Sequence, residues 1–228
     1  MCGRYVLRNA GQLPLRFGAT LDETARAALE DRYNIAPTQA VPVVTEGVAG
    51  ERRVAVVSWG IVPHRPGGRS FLAFNARAES LTERPAFRNL VARSRCLVPA
   101  SGWYEWTAVP GSKARQPWYI TDPDGDLLGL AGLLDHWTDA DGTPRAACAI
   151  VTTAAATDDL RAIHDRMPAV LPRAAEAAWL DLALTDPGAV LPLLLHPDAE
   201  RLRRWPVSPA VNRAGASDPA FIQPLNPA

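Results

Sequence analysis

A cysteine at position 2, behind a single methionine, is the residue of this chain best suited to covalent chemistry. Methionine before a small residue is commonly trimmed, which would leave Cys2 with a free α-amine beside its thiol. In unperturbed peptides the amine titrates at about 8 and the thiol at about 8.5, so modest tuning makes either nucleophilic at neutral pH. A terminal 1,2-aminothiol can do what no internal cysteine can. Its amine condenses with an aldehyde, and its sulfur then closes on the imine to give a thiazolidine. A cysteine here is also a small apolar residue that can open a strand, and its position alone leaves both readings open.

Four internal segments carry further chemistry. In Phe74-Asn75-Ala76-Arg77-Ala78-Glu79, Asn75 offers a donor and an acceptor for an amine or hydroxyl, and Arg77 suits a phosphate. The same segment also reads as a turn leading into a helix. In Gly102-Trp103-Tyr104-Glu105-Trp106 a carboxylate sits among aromatics, where desolvation would raise its pKa toward that of a neutral-pH general acid. The alternative is that Glu105 takes the exposed position of an alternating strand. In Ile163-His164-Asp165-Arg166-Met167-Pro168 an imidazole at a helix end is placed for proton transfer. Trp59-Gly60-Ile61-Val62-Pro63 brings an indole that could stack on an unpaired base or fill a core. His64, His136 and His196 form no metal-ligand pattern, and no cofactor motif is present, so neither metal nor cofactor is expected.

The elements that must hold these residues can be read in outline. The chain has 228 residues, 47% of them hydrophobic and 21% charged, enough for a real core. Residues 3–8, 41–45, 54–59, 118–121, 127–133 and 147–152 read as strands rich in Val, Ile and aromatics. Helices are predicted over 22–30, over 82–92 behind a Ser80…Glu83 capping box, from the N-cap Thr157 to before Pro168, and over 173–184. The 21 prolines are scattered through loops and mark no linker. The expected fold is α+β: one domain over residues 1–228, built on a mixed, strongly curved, barrel-like sheet with short flanking helices.

Three cysteines without a CxxC pair argue against a disulfide framework or a zinc site, and point to a reducing cytoplasm that would keep Cys2 free. The start lacks a signal-peptide pattern, and the apolar run 189–195 is short and broken by Pro192, so no membrane partner is expected. The formal net charge is zero, but residues 60–115 carry nine basic against three acidic side chains, a local +6 made almost wholly of arginine. Such a face is compatible with nucleic-acid binding and equally with a solvated surface of scattered ion pairs.

Six motifs in order, Met1-Cys2-Gly3-Arg4-Tyr5, Asn34-Ile35-Ala36-Pro37-Thr38, Trp59-Gly60-Ile61-Val62-Pro63, Asn75-Ala76-Arg77-Ala78-Glu79, Gly102-Trp103-Tyr104-Glu105-Trp106 and His164-Asp165-Arg166-Met167-Pro168, resemble the SRAP family of abasic-site processing proteins. The resemblance runs over about residues 2–212 and leaves 213–228 as a C-terminal tail. It implies a partner, single-stranded DNA carrying an abasic site, whose ring-opened sugar exposes an aldehyde. Cys2 would form a Schiff base and then a thiazolidine with it. Asn75 would orient Cys2 and the sugar, Glu105 would move protons, and His164 would assist the Schiff-base chemistry. Arg4 and Arg77 would hold flanking phosphates, while Trp59 and Trp103 would stack or wedge the strand. Where relatives often carry a second tryptophan after the Trp59 loop, this chain reads His64-Arg65-Pro66. Arg65, which can stack on a base and bind phosphate, would stand in for it.

The resemblance further implies a weak β-lyase activity, self-removal of leader residues, and a cytoplasmic monomer that joins the nucleoid when bound to DNA. Two other classes compete on the residues alone. An N-terminal-nucleophile amidohydrolase would use the Cys2 thiol with its own amine as base, but would want an oxyanion-hole Asn-Gly pair, and the chain has no Asn-Gly dipeptide. A non-catalytic single-strand-binding module would use the arginines and aromatics alone.

Overall fold

The valine-rich segments pair into two sheets that share one corner. The computed structural model describes residues 2–47, 49–62, 72–139, 141–195 and 199–225. The strands are β1 (Tyr5–Leu7), β2 (Ala19–Leu21), β3 (Arg32–Ile35), β4 (Ala40–Glu46), β5 (Arg52–Trp59), β6 (Asn75–Arg77) and β7 (Arg95–Ala100). After these come β8 (Gly102–Ala108), β9 (Arg115–Thr121), β10 (Leu128–Thr138), β11 (Pro144–Ala154), β12 (Arg166–Pro168), β13 (Val170–Leu171) and β14 (Arg203–Pro206). The helices are short: α1 (Leu13–Phe17), α2 (Glu23–Ala28), α3 (Pro85–Arg93), α4 (Asp158–Ile163), α5 (Arg173–Leu180) and α6 (Pro187–Val190).

Five strands close on themselves. β11 pairs antiparallel with β10, β10 with β7, β7 with β4 and β4 with β5, and β5 returns to β11 in parallel through Cys148↔Trp59. This is the mixed, barrel-like sheet of the expected α+β fold. Closure removes the open edges that a flat sheet would expose. β6 adds to β11 in parallel through Ile150↔Asn75, and β12 adds antiparallel through Thr153↔Met167. A second sheet runs β14-β9-β8-β1-β3. β7 passes into it through Ser101 and Gly102, where a Cβ on Gly102 would stand 2.3 Å from the Ile120 carbonyl oxygen, so only glycine fits the bend.

Several helix boundaries depart from expectation. The helix predicted over 82–92 starts at Pro85, which fixes φ and lacks an N–H, and the Ser80…Glu83 capping box does not form. Ser80 instead lies in a 3-10 turn, with its Oγ donating to the Arg77 carbonyl at 3.4 Å. The helix predicted over 173–184 ends at Leu180. β7 is not among the predicted strands, and β8 matches only the alternating-strand alternative for the Glu105 segment.

Arg95, counted in the basic segment, is only 2% exposed. It donates to the carbonyls of Val91 at 2.6 Å, Ala92 at 3.1 Å, Trp179 at 2.5 Å and Leu184 at 3.0 Å, and to that of Asp181. A buried guanidinium is tolerable here because it answers the orphan carbonyls at the ends of α3 and α5. Arg95 therefore belongs to the scaffold and not to the basic surface. No helix among the described residues is long and apolar enough to cross a membrane.

Candidate active site around Cys2

Cys2 lies just before β1 and is fully buried. Two elements hold it. From β6, Asn75 Nδ2 donates to the Cys2 carbonyl at 2.8 Å. From β8, the Tyr104 N–H donates to the Arg4 carbonyl at 3.0 Å, continuing the Tyr5↔Trp103 register. Burial pushes the Cys2 thiol well above its ordinary pKa, and the Glu105 carboxylate pushes it the same way. At rest the sulfur is a neutral thiol. Nucleophilic attack by it therefore needs a base close by.

Glu105 is that neighbour. It is 3% exposed, so the exposed-strand alternative fails, and burial pushes its carboxyl up to about 7, with Asp165 adding in the same direction. Such a group gives and takes protons with equal ease at neutral pH. His164 arrives from the end of α4. That helix is N-capped by Thr157, whose Oγ1 accepts the Leu160 N–H at 3.3 Å, and it packs against β8. Burial pushes the His164 imidazole below its ordinary value. The Arg166 N–H donates to His164 Nδ1 at 2.9 Å, which assigns the ring proton of the neutral form to Nε2. Asp165 Oδ1 also stands 2.8 Å from Nδ1 and can receive the Nδ1–H of a protonated ring. Each charge state of His164 thus has its own partner.

A clamp that sequence reasoning missed joins the Asn75 and His164 segments. Arg166 forms a two-pronged pair with Glu79, Nη1 to Oε1 at 2.6 Å and Nη2 to Oε2 at 3.0 Å, and Nη2 also donates to the Thr152 carbonyl at 2.5 Å. Both residues stood in the quoted motifs, four after Asn75 and two after His164. Opposite charges beside two assigned site residues were the available signal.

The DNA-contact assignments fare unevenly. Arg77 is exposed on β6, two residues from Asn75 and on the same strand face. Trp59 is a correction: it is fully buried, its Nε1–H donates to the Phe74 carbonyl at 2.9 Å, and Tyr5 packs edge-on at 5.3 Å, so no base can reach its faces. Trp103 is likewise fully enclosed, because it shares the inward face of β8 with Glu105. Trp106 lies on the other face of that strand, half-buried against the Tyr104 cluster, with its Nε1–H donating to Asn212 Oδ1 at 2.8 Å. Arg4 is tied to the scaffold through one nitrogen, its Nη1 donating to Asn34 Oδ1 at 2.8 Å and to the Val211 carbonyl at 3.1 Å, while the side chain stays partly exposed. Arg65 lies outside the described residues.

Known proteins resemble the chain over nearly its whole length. It is 33% identical over 223 residues to the abasic site processing protein YoaM of Bacillus subtilis, covering 93% of each. It is 27% identical over 273 residues to the abasic site processing protein HMCES of Rattus norvegicus, covering 99% of this chain and 76% of that one. A crystal structure of a Bacteroides thetaiotaomicron protein superposes with a TM-score of 0.86 at 25% identity, covering 98% of this chain and all of that one. The family described as SOS response associated peptidase matches residues 1–214, and the chain belongs to this SRAP family.

Proposed function

We propose that this chain processes abasic sites in single-stranded DNA by capturing their aldehyde on Cys2. The observation that carries the reading is Cys2 held beside a carboxyl group of pKa about 7, with Asn75 gripping its carbonyl. Removal of Met1 frees the α-amine, which adds to the aldehyde carbon to give a carbinolamine. Protonated Glu105 delivers its proton to the departing hydroxyl, water leaves, and the C=N bond of the imine forms. The Cys2 sulfur then adds to the imine carbon. Its proton passes to Glu105 and the ring nitrogen gains one, so the thiazolidine closes with no net change in protons. His164, neutral with Nε2–H, is assigned to donate to the opened sugar and to accept a proton at Nδ1, with Asp165 as the partner of the protonated ring. The same imine acidifies the neighbouring carbon, so slow β-elimination of the 3′ phosphate is part of the proposal, as is self-removal of Met1. Arg77 is assigned to a flanking phosphate.

The test is denaturing electrophoresis of the protein with a single-stranded oligonucleotide containing one abasic site, beside intact DNA and Cys2→Ala. A heat-stable shifted band is expected only with wild-type protein and the lesion. With Cys2→Ser the imine should be trapped by borohydride but give no heat-stable band. A wild-type protein whose Cys2 terminus is confirmed free by mass spectrometry, and which forms no band, would refute the capture mechanism.

A further inference from the structure

The Asn34 motif has no task in the chemistry above, yet Asn34 is 4% exposed and its amide is fully engaged. Its Nδ2 donates to the carbonyls of Val211 at 3.1 Å, Arg213 at 3.2 Å and Ala216 at 2.9 Å. Its Oδ1 accepts from Arg4, which in turn reaches Val211. The C-terminal segment so gripped lies over the outer face of the second sheet, where Val207, Val211 and Phe221 cover Val6, Tyr104 and Tyr119. One carboxamide therefore joins that segment to the residue two places from the nucleophile.

The N-terminus needs such a tie. β1 is three residues long with an irregularity in its pairing to β3, and a chain end frays unless it is anchored. Residues 2–4 are anchored by the Asn75 bond to Cys2, the Tyr104 bond to the Arg4 backbone, and the Arg4 side chain. We infer that Asn34 is a positioning residue: through Arg4 it locks the C-terminal segment to the N-terminus and so fixes Cys2 against Glu105. Arg4 accordingly serves as a strut. The link to catalysis rests on the aldehyde-capture reading, whereas the link to the placement of Cys2 does not.

The experiment compares wild type, Asn34→Ala, Arg4→Gln and Ser217→Ala, each with a confirmed Cys2 terminus. Ser217 Oγ accepts the Tyr33 N–H at 2.9 Å, so its loss loosens the same segment without touching the strut. Three rates or constants are read: affinity for intact single-stranded DNA against salt, crosslinking rate at saturating abasic DNA, and capture of Cys2 by 2-cyanobenzothiazole, which condenses with terminal 1,2-aminothiols. Asn34→Ala and Arg4→Gln should leave affinity and salt slope unchanged, slow crosslinking by about tenfold or more as small misplacements do, and speed reporter capture severalfold. Ser217→Ala should match wild type in all three. If Asn34→Ala does not fold, Arg4→Gln decides alone, because Asn34 still holds the C-terminal segment in it. Unchanged reporter capture overturns the proposal, as does a salt slope lowered by about 0.7, the mark of one lost phosphate contact on a single strand. A wild type that never crosslinks, with capture still faster in the variants, refutes the capture mechanism while Asn34 keeps its positioning role.

Discussion

Burial of a carboxyl group has two consequences that can be measured on one variant. Glu105 keeps its proton up to about pH 7 in the folded protein, whereas an unfolded chain releases it at about 4.3. Its protonated state therefore contributes fully below the unfolded value. That contribution falls as pH rises through the interval and is gone above about 7. Each pKa unit is worth about 1.4 kcal/mol, so ionising Glu105 costs on the order of 4 kcal/mol of stability at pH 8. Glu105→Gln, which copies the neutral form, should match wild type in urea unfolding at pH 4 and exceed it at pH 8. The same variant should crosslink abasic DNA at least about 100-fold more slowly, the low end of what a general acid supplies, and should lack the decline in rate expected of wild type above neutrality. A variant that is more stable and still fast would remove Glu105 from the chemistry while leaving its desolvation intact.

Two short elements hold the site together, and their tie is electrostatic. Arg166 holds Glu79 below its usual carboxylate range through their hydrogen-bonded pair. The contribution of that pair is present above the unfolded carboxylate value of about 4.3 and is lost as pH falls through the lower folded one. Because Glu79 is 57% exposed, the gain is modest, below about 1 kcal/mol. Glu79→Gln should therefore be slightly less stable than wild type at pH 7 and indistinguishable near pH 3. Crosslinking should suffer more than stability, since His164 and Asn75 lose their common brace; equal rates would restrict the clamp to the surface.

These elements also show where the sequence could be read and where it could not. Thr157 as N-cap and the valine-rich strands were legible because local chemistry determines them. β7 was not, since all six of its residues are buried and none alternates in polarity. The sequence marked Trp59, Trp103 and Trp106 as aromatic and nothing more. Which of them a base could reach depended on the inward face of β8 and the closure of β5 onto β11, both long-range facts. Cys2, Asn75, Glu105 and His164 were singled out by motifs shared with a family, while the partners of Arg4, Arg95 and Arg166 come from distant segments that no motif reveals.

At the scale of the whole molecule, the two ends of the chain meet over the second sheet. Its inner face packs on the barrel. Its outer face would expose Tyr104, Tyr119 and Val6 were it not covered by Val207, Val211 and Phe221. The aromatics there pack tilted, with ring centroids 5.5 Å apart for Tyr104–Tyr119, and edge-on at 5.4 Å for Tyr119–Trp205. Trp205 fastens the cover by donating its Nε1–H to the Ile222 carbonyl at 2.9 Å. The segment read from sequence as a tail beyond 212 is thus part of a second small core. Truncating a buried phenylalanine costs about 3–5 kcal/mol in a main core, and Phe221, at 7% exposure in a satellite cluster, should fall near the low end. Phe221→Ala should lower the urea midpoint accordingly. Since Phe221 touches neither Glu105 nor Asn75, a variant kept well below its unfolding transition should still crosslink, with reporter capture of Cys2 accelerated only if the cover has lifted off Arg4. Loss of crosslinking in a fully folded Phe221→Ala, with Cys2 capture unchanged, would mean that this cover acts on the site by a route other than the Asn34–Arg4 strut.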